Sequence, residues 1–88
     1  MGGGVSRKEK LIKRLLGRPN DFTWEELAGV LLFLGYEERK KGKTGGSRRR
    51  FVHASAPPIN LHKPHPKNIV KMYVVREVIE FLEREELL

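Results

Sequence analysis

The spacing of apolar residues changes twice along this chain, and that change limits the folds it can adopt. Apolar residues recur at helical intervals up to Gly35, alternate over the middle of the chain, and return to helical intervals after Pro66. The pattern predicts an α+β fold with the order α-α-β-β-β-α. Because 88 residues can bury one small core, we expect a single domain over residues 6–88 with a shallow surface site. Residues 1–5, which include three glycines, are expected to form a flexible leader.

Two capping boxes predict where the first two helices begin. Ser6 and Glu9 have the spacing of the first, and Thr23 and Glu26 have that of the second. In such a box the hydroxyl accepts from the backbone N–H three residues later, and the carboxylate accepts from the backbone N–H of the capping residue. The first helix is predicted over about 7–16, with its cations facing outward: Arg7, Lys8, Lys10, Lys13, Arg14 and Arg18. A second helix should follow and end at the glycine before Tyr36, with its single tryptophan in the core.

The middle of the chain predicts a three-stranded antiparallel sheet. Tyr36–Lys41 and Arg48–His53 alternate on either side of a glycine-rich turn, which is typical of a β-hairpin. A third strand, Pro58–His62, should bury Ile59 and Leu61 and expose Asn60 and His62. A last helix is predicted from about Asn68 to Glu85, because apolar residues recur there at helical spacing: Ile69, Met72, Tyr73, Val75, Val78, Ile79 and Leu82.

Charge is sorted into blocks along the chain, and the block from residue 39 to residue 71 is the most basic. It carries ten lysines and arginines and no acidic residue, whereas residues 19–38 carry five acidic residues and no basic one. Solubility alone does not require such sorting, so we expect a polyanionic partner. No apolar run reaches the roughly 20 residues of a membrane-spanning helix. The absence of cysteine excludes disulfides and thiolate metal sites, and a cytoplasmic location is expected.

The glycine-rich turn and the arginines after it suit phosphate binding. Glycine lets backbone N–H groups approach an anion closely, and arginine forms bidentate hydrogen bonds with phosphate oxygens. A hairpin turn beside a solvated basic strand would explain the same residues equally well. Arg48 and Arg50 should lie on one face of their strand and Arg49 on the other. The candidate phosphate-binding residues are Lys41, Lys43, Gly45, Gly46, Ser47, Arg48, Arg50 and Lys63.

His62 and His65 are the candidate catalytic residues. Metal-free RNA cleavage needs a base for the ribose 2′-hydroxyl, an acid for the leaving 5′-oxygen and cations for the phosphorane, and histidine titrates near neutral pH. The two histidines could instead bind a metal ion, but no third ligand is apparent near them, so no metal or cofactor is predicted. They could also have a structural role, capping the last helix or contacting phosphate. His53 could face either side of its strand.

In the order of its short motifs the chain resembles the HicA family of small toxins from toxin–antitoxin pairs. The motifs are Leu34-Gly35-Tyr36 at the end of a helix, the hairpin Lys43–Phe51, and the strand end Leu61–His65 before a closing helix. The resemblance covers roughly residues 23–82 and leaves the first helix as an addition. It implies a double-stranded-RNA-binding-domain-like fold, ribonuclease action on messenger RNA, and inhibition by a HicB-type antitoxin protein.

The chain departs from that family at one position. The resemblance implies a Gly-Ser-His turn with a catalytic histidine, and here Gly46 and Ser47 match but Arg48 stands in place of the histidine. Arginine stays protonated near neutral pH, so it can stabilise a phosphorane but cannot act as an ordinary general base. Three hypotheses follow: a toxin in which His62 or His65 moves the proton, an RNA-binding module without catalysis, or a protein-interaction domain that docks an acidic partner.

Overall fold

The fold was analysed in a computed structural model of the chain, which describes residues 6–39 and 47–88. Its helices are α1 (Arg7–Leu16), α2 (Trp24–Phe33) and α3 (Met72–Arg84), and its strands are β1 (Glu37–Arg39), β2 (Arg48–Val52) and β3 (Ile59–His62). The predicted α+β class and the order α-α-β-β-β-α are confirmed. The predicted leader and the glycine-rich turn lie outside the described residues.

The three strands form one antiparallel sheet in the order β1-β2-β3. In β2 the residues alternate in burial: Phe51 is fully buried and Arg48 and Arg50 are exposed. Phe51 pairs with Glu38 of β1 and with Ile59 of β3, so these positions share the face that packs on the helices. Arg48 and Arg50 project from the opposite face of the sheet, where both are exposed.

The core between the sheet and the helices is apolar, and no polar or charged residue of the described chain is buried in it. Trp24 is in this core, as predicted, with its ring centroid 5.9 Å from that of Phe51. The cluster comprises Leu15, Phe22, Trp24, Leu27, Val30, Leu31, Tyr36, Phe51, Ile59, Val70, Val75, Val78, Ile79 and Leu82. Within the described residues, no helix is both long and apolar enough to span a membrane.

Both predicted capping boxes are present. Ser6 and Thr23 accept hydrogen bonds from the backbone N–H groups of Glu9 and Glu26, and each carboxylate accepts from the backbone N–H of its capping residue. α1 has the predicted bounds and Gly17 is its C-cap. These local signals succeeded because each satisfies N–H groups that a helix start leaves without an intrahelical partner.

Glu26 also joins the first two helices, which corrects the prediction that Arg14 faces outward. The Arg14 guanidinium donates from Nε to one Glu26 carboxylate oxygen at 2.8 Å and from a terminal nitrogen to the other at 3.2 Å. It also donates to Asp21 at 3.1 Å. These hydrogen bonds, with Glu26 the first cause, raise the pKa of Arg14. Arg14 is thus a link between α1 and α2, whereas the other α1 cations, Arg7, Lys8, Lys10 and Lys13, are exposed as predicted.

We expect the stability of the fold to fall in acid through Glu26. The hydrogen bond from Arg14, helped by those from Thr23, lowers the pKa of Glu26 below the usual 4.5. The carboxylate therefore contributes stability that is present above about pH 4.5 and is lost as the pH falls through the lower, folded-state value. Urea unfolding from neutral pH to acid measures this contribution. A Glu26→Gln variant, whose amide does not titrate there, should show a shallower decline, and identical pH profiles would contradict the assignment.

The last helix begins later than predicted. Residues 68–70 are extended and pair with residues 22–24: the N–H of Trp24 donates to Asn68 and that of Val70 donates to Phe22. Ile69 lies in this bridge, so its helical spacing was a coincidence. α3 starts at Met72, where Met72 and Tyr73 are 46% and 53% exposed. The residues of this helix that are buried are Val75, Val78, Ile79 and Leu82.

His53 faces the helices and has a structural role. Its Nε2 lies 3.0 Å from the carbonyl oxygen of Leu34, so Nε2 donates, and its Nδ1 accepts from the N–H of Ser55 at 3.0 Å. This is the arrangement of a neutral imidazole. Gly35, at φ +100°, allows the close approach, because a Cβ there would lie 2.8 Å from Nε2. All three residues of the Leu34-Gly35-Tyr36 motif therefore help to position His53, whose ring also contacts that of Tyr36.

Tyr36 holds the connection between β2 and β3. It is buried, and its hydroxyl donates to the carbonyl oxygen of Pro57 at 2.9 Å. Burial, with a smaller contribution from Glu85, raises the pKa of this hydroxyl, which is therefore a donor at neutral pH. The connection that leads into β3 is thereby tied to Tyr36, the residue directly before β1.

Candidate nucleic-acid interface

Strand register places the candidate site on the open face of the sheet. Arg48 pairs with His62, and Arg50 pairs with Asn60. Directly opposed residues of an antiparallel pair project from the same face, with Cβ atoms about 5 Å apart. All four of these residues are exposed. Two arginines, an amide and an imidazole thus form one surface, which we call the Arg48–His62 face.

Arg49 does not belong to this face, as predicted from its position between Arg48 and Arg50. It pairs in register with Leu61, on the helix side of the sheet. Its guanidinium Nε lies 3.4 Å from a carboxylate oxygen of Glu38, and both side chains are less than one-third exposed. The three consecutive arginines are therefore divided by the strand period into two on the open face and one held against an acidic residue of β1.

His62 is held in place by Ser47. The Ser47 hydroxyl oxygen lies 3.3 Å from Nδ1 of His62, and the backbone N–H of Lys63 donates to the Ser47 carbonyl oxygen at 2.7 Å. These contacts join the start of β2 to the end of β3. A hydroxyl can donate to an unprotonated Nδ1 or accept from a protonated one, so the contact is compatible with either charge state of the imidazole.

Two concave surfaces meet at β3. The first, about 370 Å³ in volume, is lined by residues 48–50 and 60–62. The second, about 580 Å³, extends from the same residues of β3 past the loop 63–67 to the first turns of α3. We call this second surface the β3–α3 groove. His65 lines the groove.

The structure brings some of the predicted site residues together. Ser47, Arg48, His62 and Lys63 form one contact network, and Arg50 lies on the same face. His65 lines only the β3–α3 groove of the two concave surfaces. The other four predicted phosphate-binding residues, Lys41, Lys43, Gly45 and Gly46, lie outside the described residues.

Sequence reasoning missed three residues that line the concave surfaces. Asn60 was expected only to be exposed, and its place opposite Arg50 depends on the register. Lys67 and Lys71 line the β3–α3 groove. The signal that could have found the lysines is the acid-free block of charge, which continues to residue 71. Over residues 6–39 and 47–88, no three His, Asp or Glu side chains are grouped so that they could hold a metal ion.

A known family matches most of the chain. A family model described as HicA toxin of bacterial toxin–antitoxin matches residues 24–83, which include α2, the whole sheet and nearly all of α3. The helix α1 lies before the matched region. Comparison with curated proteins and with solved structures gave no significant match.

Proposed function

Because this chain belongs to the HicA family of toxins from bacterial toxin–antitoxin systems, we propose that it is an endoribonuclease that cleaves messenger RNA. The family implies an antitoxin partner, and in our proposal that partner is a HicB-type protein that covers the Arg48–His62 face. Binding of such an antitoxin should compete with RNA, since both would need the same cations. Cleavage is proposed to be independent of metal ions.

The observation that carries the proposal is the position of His62. The chain has Arg48 where the family's Gly-Ser-His motif has its histidine, and His62 stands directly opposite Arg48 in the register. It also touches Ser47, the residue that matches the serine of that motif. His62 of β3 thus places an imidazole close to the position that the family's histidine would occupy on β2. This geometry favours His62 over His65 as the base.

In the proposed cleavage reaction each side chain of the site has a separate role. His62 accepts the proton of a ribose 2′-hydroxyl, and the 2′-oxygen forms a bond to the adjacent phosphorus. The bond from phosphorus to the 5′-oxygen then breaks, which leaves a 2′,3′-cyclic phosphate and a 5′-hydroxyl. His65 supplies the proton to the leaving oxygen, and the guanidinium groups of Arg48 and Arg50 stabilise the charge of the phosphorane. Lys63 completes the phosphate contacts.

Arg48 itself supports a second candidate function, RNA binding without cleavage. A guanidinium binds phosphate well but cannot accept a proton near neutral pH. If no other group takes over proton transfer, the same face would hold RNA intact. The discriminating experiment is incubation of the purified protein with a long unstructured RNA in EDTA. Cleavage supports the nuclease, and intact RNA with a salt-sensitive mobility shift supports the binding module.

We expect RNA affinity to depend on Arg48 and Arg50 and on salt. Each Arg→Ala change should weaken RNA binding about tenfold, because it removes charge-assisted hydrogen bonds to phosphate. Each should also reduce the slope of log affinity against log salt by about 0.7, the value for one phosphate contact on a single strand. Fluorescence anisotropy across a salt series measures both quantities.

The matched control is Arg7→Ala, which removes the same charge from the exposed first turn of α1. It should leave the affinity within about twofold of the wild-type value and the salt slope unchanged, since it touches no phosphate in this proposal. Affinity that is flat with salt would exclude both the nuclease and the binding module. In that case a domain that docks an acidic protein would be the better explanation of the basic face.

A further inference from the structure

We propose that the β3–α3 groove binds an unpaired nucleobase next to the phosphate at His62, and that Tyr73 is the surface on which the base stacks. The inference rests on the proposed RNA binding and extends it, because it assigns a base-binding site to a part of the molecule that phosphate binding does not require. Single-stranded RNA is commonly recognised through splayed bases that stack on aromatic side chains.

The groove has the dimensions and the composition of a site for a flat organic group. Its volume of about 580 Å³ falls within the range of about 300–1,000 Å³ that is usual for small-ligand pockets. Its apolar lining includes Leu61, Pro64, Ile69 and Val74, which come from β3, the following loop and α3. These apolar side chains can contact the faces of a base.

Tyr73 is an aromatic residue that the fold leaves open to solvent. It lies in the first turn of α3, lines the groove and is 53% exposed. It comes three residues after the extended segment 68–70 and is not part of the buried core cluster. Stacking of a base on an exposed aromatic ring contributes about 1–3 kcal/mol, which corresponds to about 5- to 150-fold in affinity.

The charge of the groove favours RNA over an uncharged ligand. Lys63, Lys67 and Lys71 line it, and Glu77 is the one acidic residue among the described residues that do so. The groove is also continuous with the Arg48–His62 face, because residues 60–62 line both concave surfaces. A strand whose phosphate lies at His62 could therefore place its neighbouring base in the groove with its next phosphate near the lysines.

The test compares an intact RNA oligonucleotide with an abasic one of the same length. Both carry 2′-O-methyl riboses, which cannot attack phosphorus, so that binding is measured without cleavage. Wild-type protein should bind the base-bearing strand about tenfold or more tightly than the abasic strand. Tyr73→Ala should lose most of that preference while keeping the affinity for the abasic strand, and Tyr73→Phe, which retains the ring, should keep the preference.

Met72→Ala is the matched control, because Met72 is similarly exposed in the same turn of α3 and does not line the groove. It should behave as wild type with both strands. If Tyr73→Ala still prefers the base-bearing strand, the groove assignment is wrong. The proposed RNA binding would stand in that case as long as Arg48→Ala weakens binding. If wild-type protein binds neither strand, or binds only an acidic peptide, the groove assignment and the proposed function both fail.

Discussion

RNA cleavage by the His62→Ala variant is expected to fall at least about a hundredfold below that of the wild-type chain, because a positioned general base contributes about 10²–10⁴-fold. RNA affinity should change little, since the phosphate contacts of Arg48 and Arg50 remain. His62 is exposed at the end of β3, so its truncation should also leave the fold intact. Cleavage of a long RNA in EDTA, with affinity measured in parallel, separates the catalytic step from binding.

His65→Ala is the companion variant for this prediction. If His65 supplies the leaving-group proton, its loss should also slow cleavage, and a substrate with a better leaving group should restore the rate of His65→Ala but not that of His62→Ala. A wild-type rate in both variants would remove the catalytic assignment altogether. The second candidate, RNA binding without cleavage, would then describe this chain better than the nuclease does.

The Phe51→Ala variant is expected to lose about 3–5 kcal/mol of the free energy of unfolding. Phe51 is fully buried in the middle strand, between Glu38 and Ile59 in the register, and its ring packs near Trp24. The loss would be a large part of the roughly 5–15 kcal/mol typical of a whole domain. In urea the unfolding midpoint should therefore fall by more than about 1 M.

Arg50→Ala is the control on the other face of the same strand. Its side chain is exposed, and the free energy of unfolding should change by no more than about 0.5 kcal/mol. The pair thus tests the division of β2 into a face that stabilises the fold and a face that binds RNA. An unchanged midpoint in Phe51→Ala, or a large drop in Arg50→Ala, would mean that the strand has the opposite orientation.

Local signals in the sequence were sufficient to predict the order of the elements and which arginines of β2 share a face. The capping boxes at Ser6 and Thr23 set the helix starts because their hydrogen bonds join residues only three apart. Alternation in β2 and β3 set which side chains are exposed, because successive residues of a strand face opposite sides. The spacing of apolar residues predicted the α-α-β-β-β-α order in the same way. The basic block and the two histidines are visible directly in the sequence.

Other features depended on contacts between residues far apart in the chain. The start of α3 was predicted too early because a pairing with residues 22–24 holds residues 68–70 extended, and no periodicity reveals a bond across that separation. The roles of Arg14 and His53 also depend on such contacts. Arg14 binds Glu26 on another helix, and His53 contacts the carbonyl oxygen of Leu34 at the end of α2.

The sequence by itself determined which side chains are available for the proposed RNA chemistry: the arginines after a glycine-rich segment, and His62 and His65 at and just after the end of the third strand. Only the tertiary structure decided which of them meet. The antiparallel register places His62 opposite Arg48 and within hydrogen-bonding distance of Ser47, fifteen residues away in the chain. Register depends on the packing of Phe51 and Ile59 into a shared core, and that packing is a property of the folded molecule rather than of any local segment.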